Sequence, residues 1–256
     1  MAYTDIDDPS AYFQTAIWSG TGSALSVTFD GNSDMQPDMV WVKNRTVDSN
    51  HRLSDSVRGT SSHLVPDDTA AQDNSSTALT AFNSDGFSVG SEQSYSKSGS
   101  NHVGWAWKET ADAGFDIVSY TGSGSAKTVS HSLSAVPKMI IVKSRSATGQ
   151  WAVQHASLGA THWIELQATA AADSSAAMWN DTNPTSSVFT VGTNARTNAN
   201  GTTYVAYVFS EKTGYSKFGS YTGNGNADGT FVNLGFKPAF LMIKRTDSAN
   251  QWIMLN

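Results

Sequence analysis

Three stretches of this chain are versions of one another, and they constrain the fold more than any single motif does. PDMVWVKNR at 37–45, PKMIIVKSR at 137–145 and PAFLMIKR at 238–245 each open on proline and place a lysine six residues later, at steps of 100 and 101 residues. The register extends both ways. YTGSG at 120–124 matches YTGNG at 221–225, with WSGTG at 18–22 as a weaker first version. His51, Trp151 and Trp252 fall opposite one another, as do Gly59 and Gly159, and the Thr-Ala-Ala runs that begin at Thr69 and Thr169. After a two-residue insertion, FSVG at 87–90 matches FTVG at 189–192, and GWAWKE at 104–109 matches AYVFSE at 206–211. A period near 100 is too long for a solenoid, whose units run about 20–50 residues, and is the size of a domain. The chain therefore divides into an acidic segment over 1–12, copy one over 13–112, copy two over 113–213 and part of copy three over 214–256. The short third copy reads as a cut through a longer protein, with completion of a half-domain by another chain as the alternative.

Copy two shows the local pattern best. FDIVSY at 115–120 alternates apolar and polar residues into a Gly/Ser turn, and KTVSH at 127–131, QWAVQH at 150–155, HWIEL at 162–166, SVFTV at 187–191 and TYVAYVF at 203–209 are further strand patterns. KMIIVK at 138–143 is apolar on both faces, which predicts a buried central strand. This density of short strands and turns predicts an all-β chain of tandem, jelly-roll-like β-sandwich domains with the third copy incomplete. Proline lacks an N–H and suits a strand's first residue or the turn before it. Pro37, Pro137 and Pro238 therefore mark one turn-to-strand junction. Lys43, Lys143 and Lys244 end that strand and are expected to emerge at the sheet rim, stems over the core. ATAAADSSAAMWN at 168–180 has no apolar stripe and reads as a loop.

Composition narrows the function classes. Charged residues are 15% of the chain, against about 25% in a typical globular protein. The net charge of -6 leaves no basic footprint for nucleic acid. With no cysteine there is no disulfide scaffold, Cys-ligated zinc or thiol nucleophile. Apolar runs reach about five residues, far short of the ~20 of a membrane helix, so no membrane insertion is expected. The opening MAYTDIDDPS has no signal-peptide pattern. In place of charge stand 36 Ser, 26 Thr and 16 Asn, while aromatics stay at 11%, a mix that suits short strands and tight turns rather than disorder.

Chemistry-bearing motifs are few. GFSVG at 86–90 fits G-x-S-x-G around Ser88, but a nucleophile elbow needs a strand, a sharp turn and a helix, and a polar run follows here. None of the six histidines makes a metal-binding spacing, and they read as satisfied or surface residues. Gly122-Ser-Gly124 and Gly223-Asn-Gly225 lack the rest of a phosphate loop and read as hairpin turns with positive φ. Asp5, Asp7 and Asp8 could touch calcium, but read as an acidic, mobile terminus. Glycoside hydrolysis needs two placed carboxylates, and no pair stands out. No catalytic residue, cofactor or metal site is expected. Among the aromatics, Trp41, Trp105 and Trp107 read as core, because their counterparts in copy two are Ile141, Tyr207 and Phe209. Trp163 and Trp179, in the variable middle of copy two, are the candidate surface glycan contacts, since a flat apolar ring stacks on a sugar's C–H face.

Taken together, IWSGTG at 17–22, PDMVWVKNR at 37–45, DSVRG at 55–59, SDGFSVG at 84–90 and VGWAWK at 103–108 resemble a tandem-repeat family of uncharacterised bacteriophage virion proteins, common in phages of marine bacteria. Copy two resembles its companion form through FDIVSYTG at 115–122, VPKMIIVKSR at 136–145 and YVAYVF at 204–209. In related chains the copies usually continue. The resemblance implies a non-enzymatic structural protein of the virion, a tail-fibre or tail-tip component contributing to host-surface binding. Its partners would be other virion proteins, a host-surface glycan and further copies of itself, a homotrimer by analogy with phage fibres. The alternatives are a capsid-attached decoration or head-fibre protein, bound through residues 1–12, and a capsule or lipopolysaccharide depolymerase module.

Overall fold

The computed structural model describes residues 4–256, and all its described strand pairs are antiparallel. Copy one supplies β1 (Phe13–Ser19), β2 (Leu25–Val27), β3 (Met39–Asn44), β4 (Arg52–Asp55), β5 (Ser62–His63), β6 (Asp73–Asn74), β7 (Leu79–Phe82), β8 (Phe87–Val89) and β9 (Asn101–Trp107). Copy two supplies β10 (Phe115–Thr121), β11 (Lys127–Ser130), β12 (Met139–Ser144), β13 (Ala152–His155), β14 (His162–Glu165), β15 (Asp173–Ser174), β16 (Val188–Val191) and β17 (Thr203–Phe209). Copy three supplies the hairpin of β18 (Leu241–Ile243) and β19 (Ile253–Leu255). Among the described residues three one-turn α-helices punctuate the strands, α1 (Gln93–Ser96), α2 (Ala176–Trp179) and α3 (Ala195–Asn198), and a 3-10 turn at Pro9–Ala11 precedes β1.

The two full copies share one topology. The larger sheet of copy one runs β1-β9-β3-β4, and that of copy two runs β10-β17-β12-β13-β14-β15. A smaller sheet lies beside each, β2-β8-β7 in copy one and β11-β16 in copy two. β3 and β12 are internal strands, as their two-sided apolar pattern predicts. Pro37 and Pro137 stand two residues before them, outside the ladder, where a missing N–H breaks no bond. The next amides donate across it, Asp38 to the Trp107 carbonyl at 2.8 Å and Lys138 to the Phe209 carbonyl at 2.7 Å.

Strand alternation explains why these strands are apolar on both faces. In β3, Val40 and Val42 face a core private to copy one, with Val27, Phe87 and Val89. Met39 and Trp41 face the other way, into a second core. In β12, Ile140 and Val142 face a private core with Trp163, Trp179 and Phe189, while Ile141 enters the second core and Met139 packs against it. That second core is common to all three copies. It holds Trp41 and Trp105 of copy one and Trp151 and Tyr207 of copy two, and Phe240, Met242 and Trp252 of copy three pack against it. Copy three also reaches copy one, because the Phe240 ring lies 5.7 Å from Phe13 and 5.6 Å from Trp107. The three copies thus surround one apolar centre, each touching the other two.

Several local expectations change. Gly22, Gly124 and Gly225 have positive φ (77°, 74° and 71°), as turns require. Gly20 and Gly122 are needed for another reason: a Cβ there would lie 2.2 Å from the Lys97 carbonyl oxygen and 2.1 Å from that of Ala199. The stretch 168–180 is not all loop but contains β15 and α2. The described part of the N-terminal segment is pinned rather than mobile. The Asp5 amide donates to the Thr213 carbonyl at 3.0 Å, the Thr213 amide returns a bond to the Asp5 carboxylate, and Ile6 is buried.

Candidate functional site

The most constructed site in the molecule is the seam between successive copies, and it occurs twice. After β5 an extended arm, 65–72, leaves copy one and lies against copy two. The Thr69 carbonyl accepts from the Gly149 amide at 2.8 Å and from Lys143 Nζ at 3.3 Å. The Gln72 amide donates to the Arg145 carbonyl at 2.9 Å, and Trp151 Nε1 donates to the Val65 and Asp68 carbonyls at 3.0 and 3.1 Å. One repeat later the pattern recurs. The Thr169 carbonyl accepts from the Asn250 amide at 2.8 Å and Lys244 Nζ at 3.0 Å, the Ala172 amide donates to the Thr246 carbonyl at 2.9 Å, and Trp252 Nε1 donates to the Glu165 carbonyl at 2.8 Å. Small side chains at Ala70, Ala71, Ala170 and Ala171 let backbone approach backbone, so the Thr-Ala-Ala runs are docking segments.

This placement corrects the expected role of the strand-ending lysines. Lys143 does not emerge at a rim: it is fully buried, and its Nζ also donates to the Ser144 carbonyl at 3.0 Å. Burial pulls its pKa down to about 8, with the Asp68 carboxylate working the other way. Lys244 donates to the Asn250 carbonyl at 2.6 Å as well as to the arm. Lys43, in copy one, holds only the Ser49 carbonyl of its own loop and remains half-buried.

Two polar clusters stand at the junction of copies one and two. Arg58 pairs with Asp55 at 2.6 Å with both side chains fully buried, and the Tyr207 hydroxyl donates to the same Asp55 oxygen at 2.6 Å. Burial pushes the Tyr207 hydroxyl well above its ordinary value. Leu158 and His155 occupy the matching positions in copy two, so this pairing is particular to the first junction. The second cluster is acidic. Glu109 accepts from the Ile117 amide at 3.0 Å, and its own amide donates to Asp38 at 2.8 Å. Burial raises the Glu109 carboxyl to about 7, against the Ile117 amide and helped by Asp116 and Asp38. The counterpart of Asp116 is Lys217, which lies 4.0 Å from Glu211.

The candidate glycan residues are not at a surface. Trp179, in α2, is 0% exposed, and Trp163, in β14, is 4% exposed. Both pack into the private core of copy two. The Arg196 guanidinium also covers the Trp163 ring, 4.6 Å from its centroid, so neither ring can stack on a sugar. A cavity beside Trp163, bounded by Glu165 and Asp173, has about 70 Å³, room for about two waters. Ser88 lies within β8, its hydroxyl bonded to Ser26 and Asn83, with no histidine in its hydrogen bonds. His63 and His102 are core rather than surface residues, His102 stacked on Trp18 at 5.4 Å. Asp8 spends its carboxylate on Ser10 and Ser33, and among the described residues no cluster of three or more His, Asp or Glu could hold a metal ion. No helix among them is long and apolar enough to cross a membrane.

The seam residues form no recognised motif. Their one signal in the sequence is recurrence: Thr69 with Thr169, Lys143 with Lys244, and Trp151 with Trp252 keep step at the repeat spacing. Comparison with curated proteins and with solved structures gives no match. The model of a domain of unknown function, DUF7483, matches residues 8–256, and the chain belongs to that family.

Proposed function

We propose that the chain is a structural protein of a bacteriophage particle, a tail-fibre or tail-tip component that contributes to host-surface binding, and that each copy is a jelly-roll-like β-sandwich. The observation that carries the reading is the repeated seam. Backbone and side-chain hydrogen bonds join copy to copy in the same pattern twice, which is the chemistry of a building element. Each full copy packs a larger against a smaller sheet, which supports the sandwich assignment. The Ser/Thr/Asn-rich surface keeps such an element soluble at low charge, and the sequence resemblance names the particle. On this reading, contact with host glycans belongs to exposed loops and not to Trp163 or Trp179, and many weak contacts act together through avidity.

Immunogold electron microscopy of intact particles with antibodies against the chain tests the assignment. Label on the tail is the expected result. Label confined to the capsid makes the chain a decoration protein, and unlabelled particles overturn the virion reading. Incubation with host polysaccharide is expected to give retention without release of oligosaccharides. Light scattering tests the proposed homotrimer: three chain masses support it, and one chain mass excludes it.

A further inference from the structure

The seam has an acceptor side and an arm side, and the acceptor side exists three times. In copies two and three it consists of a lysine Nζ, a loop N–H, a loop C=O and an indole N–H, all engaged by an arm. Copy one carries the same four groups at the same spacing: Lys43 Nζ, the Ser49 amide, the Arg45 carbonyl and the His51 ring. His51 stands where the others have tryptophan, yet it presents the same donor. Its Nδ1 accepts from Trp41 Nε1 at 2.9 Å, so its proton sits on Nε2, a second ring N–H in place of the indole's. Among the described residues no arm lies on this side. The Ser49 amide has no partner there, and the Ser49 hydroxyl is enclosed without one. Lys43 is only half-buried, where its counterpart Lys143 is sealed by Thr69.

We propose that this face of copy one is a docking site for an extended arm of the same repeat family, equivalent to 65–72 and 165–172, supplied by a separate repeat. The two occupied seams define what it takes: a backbone carbonyl for Lys43 and Ser49, a backbone N–H three residues later for Arg45, an upstream carbonyl for His51, and small side chains between. This is strand-like addition of a peptide, in which main-chain bonds give affinity and the residues between set the fit. Copy three already rests on copy one next to this face, since the Phe240 ring lies 6.1 Å from Trp105, the cross-strand partner of the Trp41 that bonds His51. Both arms within the chain are engaged on copies two and three, so the arm for copy one comes from elsewhere.

The test adds a synthetic peptide of residues 164–173 to the full chain and follows amide hydrogen exchange by nuclear magnetic resonance. The proposal expects saturable binding, at least tenfold slower exchange of the Ser49 amide and a shift of the His51 Nε2 resonance. A scrambled peptide leaves both unchanged. Lys43→Met is expected to weaken binding at least tenfold. Should that variant melt early, Ser49→Pro, which removes the amide donor, gives the same reading. Protection at Gly149 or Asn250 alone would mean that the peptide exchanges with the resident arms, and this overturns the proposal. So does the absence of any protection at millimolar peptide, or binding that Lys43→Met and Ser49→Pro leave intact. A doubling of mass in which the arms at 65–72 and 165–172 leave Gly149 and Asn250 would be an exchange of resident arms between two chains rather than the filling of a vacant site, and it likewise overturns the proposal.

Discussion

Lys143 holds a cation where water cannot reach, and that makes stability depend on pH in a defined direction. Its folded pKa of about 8 lies below the ~10.4 of a free lysine. Between these values the unfolded chain binds more protons than the folded one, so stability rises with pH across that window. The full shift corresponds to about 3 kcal/mol. Chemical denaturation from pH 7 to 10 should show the rise, and Lys143→Met should lose it relative to the parent. Glu109 works in the opposite sense. Its folded pKa of about 7 lies above the ~4.3 of a free glutamate. The folded chain then binds the extra proton, and stability falls as pH climbs from about 4.3 to 7. Discounted for partial exposure, the loss is about 2 kcal/mol. Glu109→Gln should remove this fall and raise the melting temperature at pH 8. A parent melting curve flat over that range would show that Glu109 is not the titrating group.

At the scale of elements, the arm and the tight glycine turn carry separable contributions. Trp151 is 0% exposed and closes the first seam. Trp151→Ala should cost about 3–5 kcal/mol. Trp151→Phe keeps most of the ring and loses the two carbonyl contacts, about 1 kcal/mol. Limited proteolysis should then cut first within the released arm, between 65 and 72. Gly122→Ala drives a methyl into the Ala199 carbonyl and should cost several kcal/mol, about 3, while Gly159→Ala, with open space around it, should cost only its positive φ, about 1 kcal/mol. Strands of this kind are legible in sequence. Alternation in 115–120 marks β10, the strand pattern at 203–209 marks β17, and the two-sided run at 138–143 marks β12 as central. The arms are not legible by pattern, because Thr-Ala-Ala has neither period nor bulk, and its bonds run through backbone groups common to every residue. Trp163 and Trp179 misled because they lie in the variable middle of copy two, where no counterpart marks them as core, and only the fold of α2 and β14 shows which core takes them.

For the whole molecule, the common core decides what can exist alone. A polypeptide of residues 113–213 would uncover Phe115, Ile117, Ile141, Val153, Ile164, Val205 and Tyr207 together. At roughly 1.5–3 kcal/mol lost per large apolar side chain, that copy should not hold its native state. It should bind a hydrophobic dye and melt without a cooperative transition. A soluble, cooperatively melting fragment would show the copies to be independent. The repeat spacing predicts the number of copies and their order. It is silent on their meeting at one centre, because the residues that face inward and those that face a private core are apolar alike.

The alternation of β3 and β12 between two cores has a consequence for how the sequence can drift. A change at Val40 or Ile140 is answerable only to its own copy, and a compensating change can arise a few strands away. A change at Trp41 or Ile141 is felt by both neighbours. Neighbouring residues in one strand are therefore under different constraints: one set answers only to its own copy, and the other to packing partners a hundred residues away.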